Sequence, residues 1–326
     1  MLKILSEINS KISVSMRSLM GILVVLFIVT GLVDNYFYTF DSIGNTLQIA
    51  APLAIFGAGQ TIVMLTGGID LSLAMTATGT IYLISVKSSD GLAVSLTWGI
   101  LFCLIVGTIN GVAIGIFNVN PLIMTLSMST VLIGFFSVGV STFLKGSSSV
   151  PSLFVTMSSG YIWGPVLSWP LLVWLIVATV VMFLLTKTGL GRLIYSVGDN
   201  AKAVRLAGIK VWQVQLASYI LCSFFAGLGG VILGGQSGAV SIDLATSLLL
   251  PTVAAVVIGG TSIMGGMGTY TGTIMGALIL AVISYLLSAL DTSEALKQII
   301  YGSIVLALAW TYAQVSTKGK KPVGKK

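Results

Sequence analysis

Few side chains in this sequence could do chemistry. The 326 positions hold nine acidic residues, sixteen basic residues and no histidine. The commonest metal ligand and proton shuttle is therefore missing, and no metal site is expected. The sequence contains no HExxH, no serine–histidine pair and no carboxylates paired at helical spacing. Metal-assisted and nucleophilic catalysis thus lack their residues, and the chain does not read as an enzyme. No GxxxxGKS or GxxxxGKT loop is present to cradle a nucleotide phosphate. If ATP drives this protein, another chain binds it.

One carboxylate stands apart. Asp70 lies in Gly67-Gly68-Ile69-Asp70-Leu71-Ser72, at the edge of an apolar run. Such a position suits a cap for the helix that follows. The less favoured reading is a gate or substrate contact, because ionisable groups near apolar spans mark transport paths. Neutral polar residues sit inside other apolar runs, among them Gln60, Asn110, Thr125, Ser218 and Ser223. Each is costly in lipid unless satisfied. They either bond helix to helix or line a path for a neutral, hydroxyl-rich solute.

The third feature is a polar stretch. It runs from Thr188 through Arg192, Gly198, Asp199, Asn200, Lys202, Ala203 and Arg205 to Gly208 and Ile209. Asp199 or Asn200 suits an N-cap, Ala201–Ala207 favours helix, and Gly208 suits the left-handed stop. The expected helix is about two turns long, roughly 10 Å. So short a helix is marginal alone and must be held by packing. Lys202 and Arg205 share one face at i, i+3. Docking on a soluble partner and a merely solvated loop both fit this pattern.

The elements that must position these residues are set by composition. Hydrophobic residues make up 56% of the chain and charged ones 8%, with a mean hydropathy of +1.06. An ordinary soluble domain is roughly 25% charged. A soluble globule cannot hide this much apolar sequence, whereas a bilayer can. The two cysteines lie in apolar runs and make no disulfide framework. A helix needs about 20 apolar residues to cross the hydrocarbon core. Candidate spans lie near 18–33, 47–66, 71–87, 94–117, 121–144, 167–186, 213–234, 247–264, 268–290 and 297–315. Glycine-rich joints at 66–72 and 259–268 split two pairs of these spans. With ten spans, 13 of the 16 basic residues fall on the side of the termini and of the 187–212 loop. Asp34, Asp41, Asp90, Asp243, Asp291 and Glu294 fall on the other. The positive-inside rule places both termini in the cytoplasm. The expectation is an all-α polytopic membrane protein of about ten transmembrane helices. It forms one transmembrane domain over 1–326, with a cytoplasmic loop at 187–212 and a basic cytoplasmic tail at 316–326.

Small residues recur every four positions at Gly107, Gly111 and Gly115, at Ala226, Gly230 and Gly234, and at Gly268, Gly272 and Gly276. Each set makes a smooth face for close helix approach.

Four stretches carry a resemblance. They are Leu65-Thr-Gly-Gly-Ile-Asp-Leu-Ser72, Pro121-Leu-Ile-Met-Thr-Leu126, Gly191-Arg192 followed by Gly198-Asp-Asn-Ala201 and Ala207-Gly-Ile209, and Ala254 through Gly259-Gly260-Thr261 to Gly268 and Gly276. In order, they resemble motifs of the permease subunits of bacterial sugar ABC importers. This ribose-type family also serves arabinose, xylose, galactose-type sugars and a sugar-like autoinducer. The match covers about residues 45–310. Asp199, Leu73-Ala74 and Met267 depart from the usual residues; Met267 stands where Arg or Lys is frequent. The resemblance implies a type II ABC importer-like fold in the bacterial inner membrane and a second permease copy, identical or related. It also implies two ATPase subunits that carry ATP and magnesium, and a periplasmic binding protein that delivers the sugar. Nucleic acid is not an expected partner. The Gly198–Ile209 segment corresponds to the coupling helix. Asp70, Ser72, Asn110, Thr125, Gly259, Gly260 and Thr261 become candidates for the path or gate. The competing readings are an ABC permease for a nucleoside or branched-chain amino acid, and an autonomous carrier or channel.

Overall fold

The computed structural model describes residues 2–142, 144 and 149–319, with side chains described for 16–140, 142, 144 and 149–307. Twelve α-helices occur among them. They are α1 (Leu2–Val33), α2 (Phe40–Leu65), α3 (Leu73–Val86), α4 (Leu92–Gly115), α5 (Pro121–Ser141), α6 (Ser152–Ser159), α7 (Trp169–Lys187), α8 (Gly189–Leu206), α9 (Val211–Ser237), α10 (Leu249–Ile258), α11 (Tyr270–Ala289) and α12 (Glu294–Gly319). A small hairpin, β1 (Tyr161–Trp163) with β2 (Leu167–Ser168), precedes α7. The basic tail from residue 320 onward lies outside the described residues.

Seven helices among the described residues are long and apolar enough to cross a bilayer: α1, α2, α4, α5, α7, α9 and α11. The chain is an all-α, multi-pass membrane protein. Two expected spans are shorter than read from sequence. The 71–87 stretch gives α3 with 14 residues, and the 247–264 stretch gives α10 with 10. At 1.5 Å per residue these helices reach roughly 21 and 15 Å, below the roughly 30 Å hydrocarbon thickness. Each is flanked by a glycine joint that leaves helical geometry.

The burial pattern explains why such short helices persist. Residues 50–65 of α2 and 73–85 of α3 are buried without interruption. Helices apolar on every side belong at the centre of a bundle. Around them stand α1, α4, α5 and α7, whose outward faces expose Val24, Ile105, Ile123 and Ile176. The small-residue faces meet helices directly. A Cβ on Gly107 would lie 2.7 Å from Ile220 Cα, and one on Gly111 would lie 2.8 Å from Leu216 Cα, both on α9. Gly230 abuts the Ala77 backbone of α3, while Gly272 and Gly276 abut the Gly259 and Ala255 carbonyls at the end of α10. Without side chains between them these backbones approach closely, which is how membrane helices gain packing energy.

The 187–212 stretch is not a loop with one two-turn helix. It is helical from Gly189 to Leu206, broken at Asn200 (φ −157°, ψ 86°). The unforeseen first half is held by packing. Thr188 Oγ1 accepts from Gly191 N–H, and Gly191, Ile194 and Val197 form a buried face at i, i+3 spacing. Tertiary burial supplies helicity that isolated propensity does not.

Candidate functional site

Among the described residues, three helix ends stop in the same way on a left-handed glycine. After α2, Gly67 takes φ +84°, with Gly67 N–H bonded to Met64 O and Gly68 N–H to Val63 O. After α10, Gly260 takes φ +85°, with matching bonds to Val257 O and from Thr261 N–H to Val256 O. After α8, Gly208 takes φ +82°, with Gly208 N–H bonded to Arg205 O and Ile209 N–H to Val204 O. Each is a Schellman stop, in which a left-handed residue turns two amides back onto the last carbonyls. Glycine adopts that conformation without steric cost.

The fold brings these three sequence-distant segments together. Gly266 N–H donates to Leu65 O at 3.0 Å, tying the second joint to the end of α2. A Cβ on Gly198 would overlap both Leu65 O and Gly266 N. A Cβ on Gly265 would lie 2.8 Å from Gly67 N and 3.0 Å from Gly198 Cα. Tyr195, which neither residue type nor spacing singles out, donates from its hydroxyl to Gly268 O at 2.9 Å. Partial burial pushes its phenol above the usual tyrosine value. The last turns of α8's first half are thus wedged against both glycine joints.

Beyond the Asn200 break the second half of α8 turns outward. Asn200 Oδ1 accepts from Ala203 N–H at 3.0 Å, so Asn200 is the N-cap and Asp199 is not. Val204 is buried, while Asp199, Lys202, Ala203 and Arg205 are exposed. Arg192 and Lys210 are exposed as well. The ion pairs among the described residues are Lys87–Asp90 and Lys297–Glu294, so none of these four cations is neutralised by one.

Asp70 lies in the joint between α2 and α3. It is fully buried, and its Oδ1 accepts from both the N–H (2.9 Å) and the Oγ (2.6 Å) of Ser72. Asp70 therefore closes a turn with the residue two positions on, rather than serving as the N-cap of α3; that place is Ser72's. Asn110 Nδ2 donates to Ser72 Oγ at 2.9 Å, drawing α4 into the network. Thr125 of α5 closes it from another side. Its Oγ1 donates to Ile69 O at 3.1 Å and accepts from Leu71 N–H at 3.0 Å. At Ile69 and Leu71 the irregular backbone of 66–72 is satisfied by a side chain of a neighbouring helix, a condition under which such backbone persists in membrane proteins. Tyr219 and Cys222 of α9 cover Gly68 and Gly59. Thr261 is buried beneath Gly268, at the second joint with Gly259 and Gly260. Spacing carries no sign that Asn110 of α4 and Thr125 of α5 would meet Asp70 and Ser72 of the 66–72 joint, since the three segments are far apart in the chain.

A family model described as the permease component of branched-chain amino acid transport systems matches residues 42–309. A ribose import permease protein of Escherichia coli K12 is 34% identical over 301 residues, covering 89% of this chain and 91% of its own. Its counterpart in Haemophilus influenzae is 31% identical over 303 residues, 91% of this chain and 92% of its own. An autoinducer 2 import system permease protein of Yersinia enterocolitica is 30% identical over 297 residues, 87% of this chain and 78% of its own. No solved structure matches the chain.

Proposed function

The chain belongs to the family of branched-chain amino acid transport system permease components, and from that premise we propose that it imports a monosaccharide or sugar-like solute as the membrane subunit of an ABC transporter. Relatives that cover most of its length include ones named for ribose, fructose and autoinducer 2 import. The subunit works in the bacterial inner membrane and carries no chemistry of its own. ATP and magnesium belong to a separate ATPase. Ten crossings place both termini and α8 in the cytoplasm, following the basic residues. A second permease copy completes the path, and a periplasmic binding protein delivers the solute.

The observation that carries the mechanism is the wedge of α8 between the two glycine joints. The outward half of α8, with Arg192, Gly198, Asp199, Asn200, Lys202, Ala203, Arg205 and Gly208 in and around it, receives the ATPase. Movement of that half passes through Gly198 to the Leu65 carbonyl and the Gly266 amide at once. The two joints then shift as a pair. Asp70, Ser72, Asn110 and Thr125 hold one joint, and Gly259, Gly260 and Thr261 form the other. Coupling requires that the docked ATPase favour different joint arrangements in its two nucleotide states. In the two joints Asp70 is the one ionisable side chain, and Ser72, Asn110, Thr125 and Thr261 are neutral and buried, which suits a neutral, hydroxyl-rich solute.

The test is reconstitution in proteoliposomes with the cognate ATPase and binding protein. ATP-dependent ribose uptake, absent without the ATPase, is expected. Uptake without any ATPase would point to an autonomous carrier. ATP-driven uptake of leucine but not sugars would move the substrate to the amino acids named in the family description.

A further inference from the structure

The joint that touches α8 also carries two side chains that the coupling reading leaves unused. Met264 is 79% exposed and Met267 is 67% exposed. Leu206, at the end of α8, is 82% exposed. Lipid does not cover the methionines. Gly265, Gly266 and Gly268 beside them have φ of +89°, +74° and +143°, and irregular backbone of this kind does not face hydrocarbon. Apolar side chains exposed together away from lipid mark an interaction surface.

We infer that the 262–267 loop is a second docking element for the ATPase subunit. It lies beside α8 and presents Met264 and Met267 to the same apolar, acid-rimmed groove that receives Leu206. This rests on the coupling reading above. Continuity supports it first. Cβ positions on Gly265 and Gly266 would lie 3.0 Å from Gly198 Cα and 3.0 Å from Asp199 Cα, so the loop is seated on the bend that leads into the docking helix. Within the loop, Ser262 N–H bonds to Met267 O at 2.8 Å and Gly265 N–H to Ser262 O at 3.2 Å, which holds both methionines on one compact turn. Charge supports it second. Arg192, Lys202, Arg205 and Lys210, on α8 and just after it, are exposed and make no ion pair among the described residues, so a complementary groove has acidic residues on its rim. Residue type supports it third. Methionine is unbranched and polarizable and keeps contact with a surface that changes shape, as an ATPase cleft does between nucleotide states.

The test uses the assembled permease–ATPase complex in nanodiscs, with a photoreactive benzophenone amino acid placed in turn at positions 206, 264 and 267. All three are expected to cross-link to the ATPase chain. Cross-linking from 206 alone, with 264 and 267 reaching only the second permease copy, lipid or nothing, overturns the second element and leaves the coupling reading standing. No ATPase adduct from any of the three, 206 included, defeats the coupling reading itself. Independently, the double variant Met264→Ser, Met267→Ser is expected to weaken ATPase association at least about tenfold, as loss of two buried thioether side chains implies. Both residues are exposed, so the melting temperature of the isolated permease should not move. Unchanged association overturns the inference.

Discussion

Gly198→Ala tests the wedge directly. The new methyl would occupy the space of Leu65 O and Gly266 N, the two atoms joined by the 3.0 Å hydrogen bond between α2 and the second joint. Both neighbours are backbone, so neither moves without shifting a helix end. Overpacking of this kind costs about 1–3 kcal/mol. Loss of the hydrogen bond adds about 1 kcal/mol. Gly198 is helical, and alanine returns about 0.5–1 kcal/mol of helix preference. The net penalty is about 1–3 kcal/mol. If it falls on the arrangement in which α8 is fully seated, the balance between arrangements moves by roughly five- to hundredfold. The assay is ATP-driven uptake in proteoliposomes, with ATP hydrolysis and the detergent melting temperature measured on the same samples. Uptake should fall at least about fivefold and melting should drop, while the ATPase keeps turning over. Gly189→Ala is the control, because its added Cβ would meet only the tip of the Arg192 side chain, Nη2 at 3.9 Å, an ordinary contact. It should transport normally. Unaltered uptake and melting in Gly198→Ala, or equal damage from Gly189→Ala, would refute the wedge.

Other outcomes follow from the same geometry. Gly208→Pro cannot adopt φ +82°, and Arg205→Glu reverses a charge on the docking face; both should abolish coupled uptake in a protein that still inserts, measured by uptake against membrane abundance. Asp70→Asn keeps the Oδ1 acceptor for Ser72 and should fold. Asp70→Ala removes two hydrogen bonds and should lower stability by about 1–3 kcal/mol in a detergent melt. Equal melting of the two variants would refute that account. Tyr195→Phe loses only the bond to Gly268 O and should cost about 1 kcal/mol, with a drop in uptake at unchanged ATP hydrolysis. Gly111→Val, set against the backbone of Leu216, should part α4 from α9 and cost about 1–3 kcal/mol, read as lost melting temperature.

Composition and hydropathy alone fix this chain as a helical membrane protein, because only a bilayer accommodates so much apolar surface. The Asn200 cap and the Gly208 stop were legible because both depend on the chemistry of one or two adjacent residues. The glycine faces on α4 and α11 were legible because helical spacing stacks every fourth residue. Their partners were not, since nothing in a sequence says which helix comes near. The early half of α8 was missed because its helicity depends on the buried contacts of Gly191, Ile194 and Val197. The burial of Asp70 is not legible in the sequence for a related reason. Its burial is set by neighbouring helices closing over the 66–72 joint: its partner Ser72 is bonded by Asn110, 38 positions on, and the flanking Ile69 and Leu71 are bonded by Thr125. Local order is written in neighbouring residues, which the chain itself brings together. The meeting of Leu65, Gly198 and Gly266 depends on long-range packing, and only the folded bundle decides it.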